Sequence, residues 1–208
     1  MMSTAMIVDD HPLIRLSLRL LLQRERYEVV AECGDGVEAV QLARQHRPNL
    51  ILLDIGMPRL DGLGVISRVR QLGLPCKILV LTAQTAESYS VRCMTAGANG
   101  FFSKTDSLVE LQRALRAVTS GFIHFPVLAA RPAQGEASNS ERALIEKLSN
   151  RELSILQHLA RGYSNKEIGE RLLLSNKTVS TYKMRLIDKL HMKSLITLAE
   201  FAKRNDLA

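Results

Sequence analysis

The chain has 208 residues, of which 46% are hydrophobic, enough to bury a core in one large domain or two small ones and too many for wholesale disorder. No apolar run approaches the roughly 18 residues of a membrane span, and the first residues lack the basic and apolar blocks of a secretory signal, so a cytoplasmic protein is expected. The net charge is +7, but residues 1–121 hold 14 Lys and Arg against 12 Asp and Glu while residues 122–208 hold 14 against 9, which points to an anionic partner for the smaller half.

Residues 5–8 read as a short apolar strand ending in Asp9-Asp10. His11-Pro12 follows, with Pro suited to the first turn of a helix that runs to about Gln23 and is expected to bury Leu13, Leu16 and Leu20. A single His beside an acid pair reads as a packing or capping residue, not a catalyst. Residues 27–31 form the next strand, Gly34-Asp35-Gly36 a turn, and Val37, Val40 and Ala43 mark a second helix. Four consecutive apolar residues, Leu50-Ile51-Leu52-Leu53, read as a strand buried on both faces. Asp54 stands at its carboxyl end, and Gly56-Met57-Pro58 breaks the pattern. Asp61-Gly62 is expected to be a turn and helix cap, not a ligand, and the helix after it closes at Gly73 and Pro75. Residues 77–81 form a fourth strand ending at Thr82, and a helix over 87–96 stops at Gly97. Residues 100–103 form a fifth strand ending at Lys104, and Ser107 with Glu110 opens a last helix that ends at Gly121. The alternation predicts a doubly wound, five-stranded parallel sheet with helices on both faces.

Four of those strands end in a chemically useful residue: Asp9 and Asp10, Asp54, Thr82 and Lys104. A parallel sheet gathers its strand ends along one edge, in the crevice where open α/β folds bind ligands. Any one of these residues alone reads equally well as a cap; the set reads as a site. Three carboxylates in one crevice raise one another's pKa unless a cation joins them, and a few carboxylates with waters and a phosphate suit Mg²⁺. Lys104 offers a point charge for an anion, and Thr82 a hydroxyl.

The segments MIVDDHP, LLDIGMPRLDG, VLT and GANGFFSK resemble, in order and spacing, the receiver domain of bacterial two-component response regulators over residues 3–121. The resemblance implies a flavodoxin-like fold. It also implies that Asp54 accepts a phosphoryl group from a sensor histidine kinase, directly or through a phosphotransfer domain. Asp9, Asp10, Asp54 and the Gly56 carbonyl would hold Mg²⁺, Thr82 and Lys104 would bind the phosphoryl oxygens, and Thr82 with Phe101 would form the switch. Phe101 stands where the family often carries Tyr, so no hydroxyl reorients there. Thr105 replaces a frequent Pro, which removes the usual reason for a cis peptide.

Residues 122–144 read as a linker: FIHFP at its start keeps a packed look, and residues 132–140 are rich in Pro, Gly, Ala and Ser. Beyond it, Ser149 with Glu152 and Ser164 with Glu167 are capping boxes that open two short helices. The first carries Leu153, Leu156, Leu159 and Ala160 at helical spacing up to Gly162, and the second runs through Ile168 and Leu172. Ser175 caps a third helix, with Leu174 and Val179 at staple spacing, and such closely joined helices predict a helix-turn-helix. At about 100° per residue, Val179, Tyr182, Leu186 and Leu190 of the third helix face inward. Lys177, Thr181, Met184, Arg185 and Asp188 face outward, with Ser180 at the margin and Lys183 near the core side. A basic, short-chained face suits a DNA groove: cations meet phosphate or guanine, hydroxyls reach base edges, and Met touches a thymine methyl.

Residues 145–208 resemble the all-α, four-helix DNA-binding domain of the LuxR/NarL/FixJ family, on RE, GYSNKEI and SNKTVSTY. The whole chain resembles the BvgA/EvgA branch on DIGMP, GFIHFP and LSNKTVSTYK. This implies that Lys177, Thr178, Ser180, Thr181, Met184 and Arg185 contact double-stranded DNA and that the protein works as a homodimer. Tyr182 stands where many members carry His. The expected function is a DNA-binding transcriptional regulator controlled by phosphorylation, not an enzyme. One alternative is a constitutive DNA-binding regulator with a vestigial receiver. Another is a Mg²⁺-dependent aspartyl phosphatase, which would carry a second acid two residues after its nucleophile, where this chain has Gly56.

Overall fold

The computed structural model describes residues 2–57, 59–84, 86–126, 141, 143–205 and 207. The chain divides into two compact units, Met1–Leu128 and Ala129–Ala208. The Pro-rich segment expected over 132–140 lies outside the described residues.

In the first unit, β1 (Ser3–Val8), β2 (Tyr27–Cys33), β3 (Leu50–Leu53), β4 (Lys77–Thr82) and β5 (Gly100–Ser103) form one parallel sheet in the order β2-β1-β3-β4-β5. The intervening helices are α1 (Pro12–Arg24), α2 (Gly36–His46), α3 (Gly62–Gln71), α4 (Ala86–Ala96) and α5 (Leu108–Thr119). This order reverses direction between β1 and β3, which opens the crevice between their carboxyl ends. All four β3 residues are buried, as a central strand covered on both faces requires. Alternation sends Ala5, Ile7, Leu50, Leu52, Leu79, Leu81 and Phe102 to one face, against Leu18, Leu21 and Leu22 of α1 and Leu111, Ala114, Leu115 and Val118 of α5. Asp35, Asp61 and Ser107 cap α2, α3 and α5, the last with a full capping box.

The face of α1 is a correction. Leu13, Leu16 and Leu20 are not buried but exposed, at 78, 51 and 53% of their surface. The helix instead buries Leu18, Leu21 and Leu22 with Ile14 packed beside them. Its sequence carries leucine on two stripes, so helical spacing alone could not choose. Pairing of Arg19 with Glu32 of β2, and of Arg15 with the Asp9 carbonyl at 2.8 Å, fixes the rotation.

Within FIHFP, His124 makes an isolated bridge to the edge of the sheet. His124 pairs with β5 through Phe101 N–H to its carbonyl at 2.7 Å, and its own N–H donates to the Asn99 carbonyl at 3.0 Å. Phe122 and Ile123 beside it remain exposed. The buried thiols of Cys33 and Cys93 are pushed up by burial to about 11 and about 12, which leaves them as small core hydrophobes.

The second unit contains α6 (Asn150–Ala160), α7 (Asn165–Leu172), α8 (Asn176–Lys189) and α9 (Leu195–Arg204), preceded by a helical stretch over residues 143–146. Its core gathers Leu153, Ile155, Leu156, Ile168, Val179, Leu186, Leu198 and Phe201. Ser149, Ser164 and Ser194 each complete a reciprocal capping box, and Ser175 accepts from Thr178 N–H. Glu152 is buried, yet its carboxylate also meets Lys189 at 2.8 Å, tying α6 to α8. Burial pushes the Glu152 carboxyl up, but the Lys189 and Ser149 hydrogen bonds outweigh it and hold it below the usual range.

Candidate functional site

The carboxyl ends of β1, β3 and β5 bring Asp9, Asp54 and Lys104 together. Asp54 is 5% exposed, and its backbone N–H donates to the Val8 carbonyl at 2.8 Å, locking the end of β3 to β1. The Lys104 ammonium lies 2.7 Å from Asp54 Oδ2 and 2.7 Å from Asp9 Oδ2. Only the Asp54 contact has hydrogen-bond geometry; Asp9 Oδ2 is buried without a hydrogen-bond partner among the described residues. Asp54 Oδ1 accepts from Gly56 N–H at 3.0 Å.

Burial pushes the Asp54 carboxyl above its ordinary value, against the opposing pull of the Lys104 charge and the Gly56 N–H. Burial draws Lys104 down, but the charge and hydrogen bond of Asp54 and the adjacent Asp9 carboxylate outweigh it and raise its pKa. The ammonium therefore stays charged.

Asp10 stands at the rim, a third exposed, and His11 Nδ1 lies 2.7 Å from its carboxylate. Ligand atoms of Asp9, Asp10, His11 and Asp54 fall within 4.8 Å of one another. With the buried Asp9 Oδ2 making no hydrogen bond among the described residues, this donor set fits a hard divalent cation. His11 is the N-cap residue of α1 but makes no side-chain cap bond.

Thr82 is buried at the end of β4, its Oγ1 accepting from Gln84 N–H at 3.0 Å and its carbonyl accepting from Lys104 N–H at 2.8 Å. Its backbone thus aligns Lys104, while its hydroxyl is turned to the β4–α4 loop. Phe101 is 2% exposed, inside the unit.

Two supports were not legible as such in the sequence. Gly62 was expected only as a turn residue, but a Cβ there would stand 2.4 Å from the Asp54 carbonyl oxygen. A Cβ on Gly36 would stand 2.0 Å from the Leu60 carbonyl oxygen. The loop after Asp54 is thereby pressed between α2 and the strand end, and Arg59 clamps it through Asp35 at 2.6 Å. The repeated Asp-Gly pairs at 35–36 and 61–62 were the available signal; the first read as a turn and the second as a turn and cap, and both Asp side chains cap helices.

On α8, Lys177, Ser180, Thr181, Met184 and Arg185 are exposed and Thr178 is half-buried, while Val179, Leu186 and Leu190 are buried. Tyr182 and Lys183 are half-buried, and burial draws the Lys183 ammonium down. The face expected from helical spacing is the face observed. The Arg185 guanidinium lies 5.7 Å from the Tyr182 ring centre, close enough for a cation–π contact.

Comparison with known proteins gives two family matches: a response regulator receiver domain over residues 5–116 and the luxR family of bacterial regulatory proteins over residues 146–202. The chain belongs to the LuxR-type response regulators. The virulence-factor transcription regulator BvgA of Bordetella pertussis is 46% identical over 100% of both chains. The DNA-binding transcriptional activator EvgA of Escherichia coli is 35% identical over 98% of each. The structure of RcsB from Salmonella enterica serovar Typhimurium shares the fold with a TM-score of 0.61 and 24% identity, covering 97% of this chain and 98% of that one. This regulator therefore pairs a receiver with a DNA-binding helical domain, homologous to transcriptional regulators. Among the described residues, no helix is long and apolar enough to cross a membrane.

Proposed function

We propose that this regulator is switched by phosphorylation of Asp54 in the cytoplasm and acts by sequence-specific binding of double-stranded DNA as a homodimer. The receiver comprises residues 3–121, the linker 122–144 and the DNA-binding domain 145–208. The donor is a sensor histidine kinase or a phosphotransfer domain. An Asp54 carboxylate oxygen attacks the phosphorus of the donor's phosphohistidine in line, forming an O–P bond as the N–P bond breaks. Asp9, Asp10, Asp54 and the Gly56 carbonyl hold Mg²⁺, which when bound neutralises charge on the phosphoryl oxygens. Lys104 then exchanges its carboxylate partners for a phosphoryl oxygen, and Thr82 turns its hydroxyl from Gln84 to another, with Phe101 following. Lys177, Thr178, Ser180, Thr181, Met184 and Arg185 meet the DNA.

The observation that carries this reading is the buried Asp54 held 2.7 Å from an ammonium that also faces Asp9. The exposed stripe Leu13, Leu16 and Leu20 supports the dimer, because one self-complementary apolar patch on each copy is what a two-fold contact needs. Acetyl phosphate with Mg²⁺ should add one acid-labile phosphate to the wild type and none to Asp54→Asn. Equal labelling of the two would remove Asp54 from the role. Unchanged promoter control by Asp54→Asn in cells would favour the alternative, a constitutive DNA-binding regulator with a vestigial receiver.

A further inference from the structure

The three hydroxyls along the reading face of α8 are not equivalent. Thr181 Oγ1 donates to the Lys177 carbonyl at 3.0 Å, one turn back along the helix. Its proton is consumed, so it offers outward only lone pairs and a methyl group. Ser180, one residue earlier, makes no such bond. Its Oγ accepts from Asn165 Nδ2, the first residue of α7, at 2.9 Å. One lone pair is thereby occupied from inside, and the Ser180 proton has no partner among the described residues. Thr178 is closed off locally, its Oγ1 lying 2.8 Å from the Ser175 hydroxyl of the cap.

The amide orientation of Asn165 decides the polarity. As placed, Oδ1 is buried with no hydrogen-bond partner among the described residues. The reverse orientation would bury the amide nitrogen there instead, with two protons to satisfy in place of one acceptor oxygen. The nitrogen therefore faces Ser180.

We infer that Asn165 is a positioning residue for base selection: by donating to Ser180 it turns that hydroxyl outward as a donor, next to Thr181 fixed as an acceptor. Ser180 then seeks an acceptor on the major-groove edge, guanine O6 or N7, adenine N7 or thymine O4. Thr181 seeks an amino group, adenine N6 or cytosine N4, or lays its methyl against thymine. The pair reads opposite polarities from adjacent positions. This rests on the proposed reading of DNA by α8.

The test uses the full-length chain, treated with acetyl phosphate and Mg²⁺, in a binding selection from randomised duplexes that returns base preference position by position. Ser180→Ala should flatten preference at one position. If it changes none, the reading face itself is wrong, separately from the role of Asn165. Asn165→Ala should weaken preference at that same position by about fivefold, the worth of one hydrogen bond of about 1 kcal/mol. Asn165→Asp should invert it toward bases with an amino group, because a carboxylate accepts the Ser180 proton and leaves only lone pairs outward. In the Ser180→Ala background, Asn165→Ala should do nothing further to base preference. Thermal melts of each variant separate loss of fold from loss of base selection. Unaltered preference in both Asn165 variants, or an equal Asn165→Ala effect with Ser180 absent, overturns the inference.

Discussion

Replacing Lys104 by Met isolates what the ammonium does in the unphosphorylated receiver. It lies 2.7 Å from two carboxylates, one 5% and the other 1% exposed, and is itself only 16% exposed. Removing one partner of a buried ion pair leaves an uncompensated buried charge, which costs about 3 kcal/mol. For a domain of this size that lowers the melting midpoint by roughly 10 °C. The loss has a defined pH sign. Asp54 binds its proton more tightly folded than unfolded, so its contribution falls as pH rises from the ordinary carboxylate value of 3.8 through its raised folded value. Without Lys104, which pulls that value down, the loss reaches further toward neutral pH. Calorimetry of the receiver transition should therefore show Lys104→Met well below wild type at neutral pH without metal and closer to it in mild acid. Millimolar Mg²⁺ should close most of the gap, since the cation supplies the missing charge at the same oxygens. A variant as stable as wild type without metal at neutral pH, or one indifferent to Mg²⁺, would refute the reasoning.

Gly62→Ala should cost about 2 kcal/mol through overpacking and slow acetyl-phosphate labelling of Asp54 by about tenfold or more, because its Cβ meets the Asp54 carbonyl oxygen at 2.4 Å. Normal labelling kinetics would mean the strand end can give way. Lys177→Ala should weaken binding to all duplexes and lower the salt slope by about one charge, whereas Thr181→Ala should mainly relax base preference. Identical effects from the two, measured across a salt series, would contradict the assignment of the α8 face. Leu16→Asp should leave the melting midpoint nearly unchanged, within about 0.5 kcal/mol, since the residue is 51% exposed. It should also weaken self-association of the phosphorylated chain, read by sedimentation; unaltered association would show that the α1 stripe is not the contact.

Strand ends, caps and the α8 face were legible in the sequence because each rests on a local rule. Four apolar residues followed by an acid, Ser-x-x-Glu spacing and 100° per residue all act within one element. Asp54, Asp9 and Lys104 could be gathered on paper because a parallel sheet has only one edge at which its strands end. What the sequence could not decide is anything two elements settle jointly. The leucines of α1 satisfy helical spacing on both stripes, and only its docking on β2, through Arg19 and Glu32, selects Leu18, Leu21 and Leu22 for the core. Gly62 and Gly36 look like ordinary turn glycines until the β3–α3 loop is seen pressed against backbone. Ser180 and Thr181 are neighbours of like chemistry in the sequence. Their opposite hydrogen-bond polarity arises only when α7 sets Asn165 against α8, since a hydroxyl's direction is fixed by its partner and not by its own identity.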